Sequence, residues 1–370
     1  ASFLFAAAGS IGAAPIRVDL YTMGPGEDLF SKFGHAALCV AGDGIPEEGI
    51  CYNYGTSDFS RPVGLGWEVV RGRAKFWVSV SDLEGMIESF AAEDRTIFRQ
   101  SLPLSEKQAE KLAGALARDA LPENREYVYN HFLENCSTRP RDHIDQATGG
   151  KLRRVDLPSV GTYRDYATEG LSRASGLLVP ASDFLLGRWA DRKIDAHAAM
   201  FIPDVLRAGV ASAMGVAPEA IYERKGPPIP SRVGAGRRLA WIACFFAVAV
   251  FGGSLYLGTR GRRFFRKLGG GLLGGLGAIL LFGALVSVLP ELRRNELFLV
   301  FFPLDFFLLS SNLAFVVSYS TMRLAVLAVA AVLAALGVLI QPLWPFWLLS
   351  AGVLGVIRVG ASGSSYTTGL

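Results

Sequence analysis

A histidine in Phe33-Gly34-His35-Ala36 and a cysteine about a hundred residues later, in Glu134-Asn135-Cys136-Ser137-Thr138-Arg139, are the residue types in this chain best suited to covalent chemistry. An imidazole can take the proton of a thiol, and the sulfur then attacks a carbonyl, so the pair points to nucleophilic catalysis through a thioester. Cys136 is set among Asn135, Ser137, Thr138, Arg139, Arg141 and Asp142, where a helix ending near Gly149 is expected to begin. Pro140 fits only near a first turn, which supports that boundary. Unpaired N–H groups, the positive end of the helix dipole and the guanidinium groups of Arg139 and Arg141 would all favour thiolate.

His35 follows a glycine that allows close approach of another backbone, and it is the expected general base. A third group should accept the other ring N–H and orient the imidazole. Asn53, in Cys51-Tyr52-Asn53-Tyr54-Gly55, is the best candidate, with Tyr54 and Asp58 behind it. Tyr54, Asn135, Arg139 and Arg141 are candidate substrate contacts, although the two arginines could equally pair with Asp142 and Asp145. His131 and His143 lie five and seven residues from the cysteine and, with His197, read as surface or structural residues. Cys39 and Cys51 sit on the two arms of one hairpin and either bridge in an oxidising compartment or are simply buried. Cys244 lies in an apolar run and is expected to be inert. No His/Cys/Asp cluster has metal-ligand spacing, and no cofactor is expected.

The elements that must hold these groups are legible in part. Arg17 to Met23 alternates as a strand, His35 to Val40 forms another, and a Gly-rich loop over residues 41–49 returns the chain through Cys51 to Gly55 as a hairpin. Asp82 to Phe90 and Ser105 to Asp119 repeat apolar residues at helical spacing, the second opened by a Ser-x-x-Gln capping box. The domain is therefore mixed α and β. It is expected to span residues 16–226 and to be large enough to bury its own core. Within it, Phe184, Leu185, Leu186 and Trp189 are read as core residues more readily than as an interfacial anchor.

Composition changes after Arg238. The chain as a whole is 51% hydrophobic and only 19% charged, with a mean hydropathy of +0.33, and the apolar excess lies in the last part. Residues 1–15 read as the remnant of a secretory signal, residues 227–238 as a proline-rich linker, and residues 239–360 as about five membrane spans. The spans are expected at 239–258, 268–289, 297–317, 324–340 and 343–357. Arg260, Arg262, Arg263, Arg266 and Lys267 in the first connection place it in the cytoplasm by the positive-inside rule, and the preceding domain outside. The net charge of +4 thus reflects topology rather than nucleic-acid binding. Asp305 is an acid inside an apolar span, either protonated or paired with a helix-end arginine, or else in contact with substrate. The glycines from Gly269 to Gly277 suit close helix packing.

The series Asp28-Leu29-Phe30-Ser31-Lys32-Phe33-Gly34-His35-Ala36, Tyr52-Asn53-Tyr54-Gly55, Asp94-Arg95-Thr96-Ile97 and Asn135-Cys136-Ser137-Thr138-Arg139-Pro140-Arg141-Asp142 resembles the bacterial Lnb-type periplasmic domain family over roughly residues 16–207. The resemblance implies an α+β permuted papain-like (NlpC/P60-like) extracytoplasmic domain, related in pattern to lecithin:retinol acyltransferase, followed by an all-α polytopic transmembrane domain in the bacterial inner membrane. It implies lipoprotein N-acylation, with membrane phospholipids as donors, diacylated lipoproteins as acceptors, Cys136 as nucleophile and His35 as base. Asn53 is placed by position only. The competing readings are a membrane-bound cysteine phospholipase or lipid amidase and, from another class, a non-catalytic membrane assembly module that would tolerate loss of Cys136.

Overall fold

Seven short stretches rich in β-branched and aromatic residues become strands because their alternate side chains can be buried on two faces of one sheet. In the computed structural model, which describes residues 15–42, 44–46, 49–158 and 161–365, these are β1 (Arg17–Met23), β2 (His35–Ala41), β3 (Ile50–Thr56), β4 (Lys75–Asp82), β5 (Ile97–Ser101), β6 (Glu126–Val128) and β7 (Glu219–Tyr222). The leader expected over residues 1–15 lies, except for Pro15, outside the described residues. The helices are α1 (Pro62–Arg71), α2 (Leu83–Ala92), α3 (Glu106–Asp119), α4 (Thr138–Ala147), α5 (Tyr163–Ala174), α6 (Leu178–Leu185), α7 (Ala196–Ala199), α8 (Pro203–Met214), α9 (Val233–Gly253), α10 (Thr259–Val286), α11 (Pro290–Arg293), α12 (Leu313–Ala335) and α13 (Trp344–Ser365). They fall into two compact units, one made of residues up to Ser60, Lys75–Ser159 and Asp195–Pro228, the other of Arg61–Ala74, Val160–Ile194 and Ile229–Leu370. The expected single domain over 16–226 is thus divided, because α1, α5 and α6 pack with the apolar helices.

In the first unit the sheet order is β6-β4-β3-β2-β1-β5-β7, with every pair antiparallel. One face, with Tyr21, Met23, Ala37, Cys39, Cys51 and Ile97, buries Met86 and Phe90 of α2. The other is covered by α3, α4 and α8. Asp82 caps α2 by accepting from the Gly85 N–H, and the expected Ser105/Gln108 box opens α3. Cys39 and Cys51 face each other across β2 and β3 and form a disulfide, so the hairpin that carries His35 and Asn53 is cross-linked at its middle.

Among the described residues the second unit contains four helices long and apolar enough to cross a membrane, at Val233–Tyr256, Thr259–Val286, Leu313–Ala335 and Trp344–Ser362, rather than about five. Large apolar side chains such as Ile242, Phe245 and Phe246 are exposed on α9, as lipid-facing residues would be. The expected span over 297–317 is not one helix. Its first part forms two 3-10 turns, Glu296–Leu299 and Pro303–Leu309, and α12 begins only at Leu313.

This irregular segment runs antiparallel to α10. A Cβ on Gly277, Gly274 or Gly270 would lie within 2.8 Å of Phe302, Phe306 or Leu308 respectively, so the glycine face seats an irregular backbone instead of the helix expected there. Non-helical backbone at membrane depth needs internal partners for its polar groups. Arg323 supplies them by donating to the carbonyls of Leu299 and Val300, and Ser350 also donates to Val300. Asp305 answers the charge of Arg323. Its Oδ1 accepts from Arg323 Nε at 2.7 Å and the Tyr319 hydroxyl at 3.0 Å, and its Oδ2 from the Phe302 N–H and Arg323 Nη2. Asp305 is therefore paired, with an arginine inside α12. The Phe184 ring of α6 packs against Phe301 and Phe346, whereas Leu185 stays exposed.

Candidate active site

His35 is the first residue of β2, and its placement depends on Gly34. That glycine has φ +87°, and a Cβ on it would lie 2.7 Å from the carbonyl oxygen of Met23 on the neighbouring strand. The imidazole stacks on Phe90 of α2, with ring centroids 5.4 Å apart. Its Nε2 lies 3.2 Å from Asn53 Oδ1, and Asn53 Nδ2 donates to Ser81 Oγ at 3.3 Å. An amide oxygen only accepts, so the bond puts the ring proton on Nε2 and leaves Nδ1 free to take a proton. Burial, reinforced by the positive charge of Arg95, lowers the imidazole to about 4, against the opposing pull of the Asn53 bond. It is a neutral base at ordinary pH.

Cys136 lies just ahead of α4. Asn135 holds the approach: its Oδ1 accepts the N–H groups of Ser137 and Thr138 at 2.8 and 2.9 Å, and its Nδ2 donates to the carbonyls of His131 and Phe201. Every polar atom of this buried side chain is thus engaged in shaping the turn, which corrects its reading as a substrate contact. It also removes two helix-start N–H groups from the donors expected around the thiol. Gly55, with φ +93°, lets the turn come close, since a Cβ there would lie 3.2 Å from the Cys136 Cβ.

The half-buried thiol is flanked by the backbone N–H groups of Ala36, the residue after His35, and of Cys136 itself. Burial pushes it up to about 11 despite those donors and Arg95, so the expected thiolate gives way to a neutral thiol. Arg139 and Arg141 do not supply the charge. Arg139 pairs with Glu134 at 2.8 Å and lies over the Tyr127 ring, while Arg141 pairs with Asp142 and donates to the His197 carbonyl. Tyr54 faces the opposite side of the sheet from Asn53. It is fully buried, with its hydroxyl on Asp119 and His143, and is structural rather than a substrate contact. That network also makes His143 structural.

The residue that sequence reasoning missed is Arg95. It is buried, its Nε donates to the Gly24 carbonyl at 2.9 Å, Nη1 pairs with Glu93, and its guanidinium lies over Phe90, the ring that also carries His35. Its Nη2 is buried without a hydrogen-bond partner. The charge bears on both His35 and Cys136. Asp94 holds the preceding turn in a left-handed conformation, φ 53°, by accepting from the N–H groups of Lys225 and Gly226 and from the Tyr222 hydroxyl. The signal available in the sequence was the Asp94-Arg95 pair, which stood in the family-like series without an assigned role. Among the described residues no group of His, Cys, Asp and Glu is arranged to hold a metal ion.

Residues 9–169, which include His35, Asn53, Arg95 and Cys136, match the family model described as the Lnb N-terminal periplasmic domain. The match covers less than half of the chain. Neither a curated protein nor a solved structure matches.

Proposed function

The chain belongs, through residues 9–169, to the Lnb N-terminal periplasmic domain family, and from that premise we propose that it is a lipoprotein N-acyltransferase of the bacterial inner membrane. The observation that carries this reading is the His35 Nε2 to Asn53 Oδ1 bond, which frees Nδ1 for proton transfer while the next residue's N–H faces the Cys136 thiol. A base strand that precedes the nucleophile, with the thiol at a helix start, fits a permuted papain-like arrangement. The four long apolar helices fit substrates that reside in a bilayer. On this reading the first unit faces the periplasm and the basic start of α10 lies towards the cytoplasm.

The reaction proceeds in two halves. His35 Nδ1 takes the thiol proton as sulfur attacks the ester carbonyl of a membrane phospholipid, with the Cys136 N–H available to the developing oxyanion. The ester C–O bond breaks, the leaving lysophospholipid oxygen receives the proton from His35, and an acyl thioester remains. The α-amine of a diacylated lipoprotein then attacks the thioester. Its proton passes through His35 to the departing sulfur, giving the amide and restoring the thiol. Because imidazole and thiol are both neutral at rest, proton transfer accompanies attack and no ion pair is formed beforehand.

The test is mass spectrometry of the N-terminal peptide of a diacylated lipoprotein incubated with phospholipid and the full chain. The intact protein should add one acyl chain, and Cys136→Ala should reduce the rate by about 10³-fold or more. Release of free fatty acid and lysolipid with an unchanged peptide would support the phospholipase reading. Turnover that survives Cys136→Ala would remove the thiol from the mechanism.

A further inference from the structure

A second concentration of charge lies in the unit of apolar helices, and it contains no acid. The link at Leu257 and Gly258 is so short that the basic residues expected in a connection instead form the first turns of α10. Arg262, Arg263, Arg266 and Lys267 line a cavity of about 220 Å³ where α9 ends, α10 begins and α13 ends, with Leu309 and Ile357 among its apolar walls. No Asp or Glu lines it, and none of the four cations forms an ion pair among the described residues. Arg266 is committed to the carbonyls of Leu308 and Ser310. Arg262 lies with its stem against Gly360 and its Nε shut off from solvent without a hydrogen-bond partner.

Four like charges around one recess repel one another, and a buried guanidinium nitrogen without an acceptor is unfavourable. A ligand with anionic oxygens at one end and hydrocarbon at the other relieves both and also covers the apolar walls. We propose that this cavity binds the phosphate headgroup of an anionic glycerophospholipid. The site is separate from the thiol chemistry, and its occupancy is read without turnover.

The purified full chain in detergent is titrated with phosphatidylglycerol, with phosphatidylcholine of the same acyl chains and with inorganic phosphate. Bound lipid is counted by native mass spectrometry, and thermal unfolding is followed in parallel. One equivalent of phosphatidylglycerol should bind about tenfold or more tightly than phosphatidylcholine, and Arg262→Gln and Arg263→Gln should each weaken it about fivefold. Equal retention of the two lipids by the unaltered protein overturns the proposal, and that comparison needs no variant. Undiminished phosphatidylglycerol binding by the folded double variant overturns it as well, because a donor lipid at Cys136 would survive those changes. Stabilisation by inorganic phosphate equal to that by phosphatidylglycerol assigns the cavity to free phosphate and overturns the lipid.

Discussion

The buried titratable side chains around Asp305 and those around His35 are finished to different degrees. Around Asp305 both carboxylate oxygens have two donors, and Arg323 also donates from Nη1 and Nη2 to the carbonyls of an irregular backbone. Around His35 the pattern is incomplete: Nδ1 makes no hydrogen bond among the described residues, Arg95 leaves Nη2 unpaired, and burial drives imidazole and thiol to their neutral forms. A buried polar group without a partner is costly, so the saturated cluster suits structure and the unsaturated one suits chemistry still to be completed by a substrate.

The largest effect that would break this contrast lies at the saturated cluster. Removing one partner of a buried ion pair leaves the other uncompensated, so Asp305→Asn or Arg323→Met should each destabilise the protein by about 3–5 kcal/mol. The double variant should lose clearly less than the sum, as expected for groups in direct contact. Thermal unfolding in detergent measures both. Alkylation of Cys136 in the molecules that remain folded should be unchanged, and a selective loss of thiol reactivity would mean that Asp305 is not merely structural.

This contrast also marks how far the sequence could be read. Period and capping residues revealed the strands from Arg17 and His35, α2 and α3, because those signals are local. His35, Asn53 and Cys136 were legible by type, and the His35–Asn53 contact follows from a hairpin only 18 residues deep. The role of Arg95 was not legible, since it depends on a turn held by residues 222–226, more than a hundred positions away. The apolar run over 297–317 has the composition of a span, and hydropathy does not register that Pro303 and a paired Asp305 permit 3-10 turns against a glycine face. Arg139 and Arg141 were misread for a similar reason, because proximity in sequence to Cys136 says nothing of the partners that hold them elsewhere.

A smaller effect would sharpen the comparison at Arg95. Its positive charge opposes protonation of His35 and favours thiolate at Cys136, so Arg95→Met should raise both pKa values from about 4 and about 11. The acid limb of kcat/KM should therefore move upward, and thiol alkylation should require higher pH. Alkylation at a fixed pH slows in proportion to the thiolate that is lost, because the thiolate is the reacting species. Arg95→Lys, which keeps the charge, should restore part of both. A guanidinium that only packed against Phe90 and Gly24 would leave both titrations in place.

The smallest expected effect, and the most discriminating in sign, concerns Asn53. Its oxygen accepts from Nε2–H and so supports the protonated ring, which raises the imidazole against the stronger lowering by burial. Asn53→Ala removes that support, so the acid limb should move below about 4, with a rate loss of about tenfold from the freed ring tautomer. Asn53→Asp places a charged acceptor at the same position, and Ser81 can turn its hydroxyl to donate where it now accepts. The acid limb should then move upward, while the tautomer and the free Nδ1 are kept. Opposite displacements from two substitutions at one residue would identify Asn53 as the group that sets the proton on His35. A common direction would show that the amide only fills space between β3 and β4.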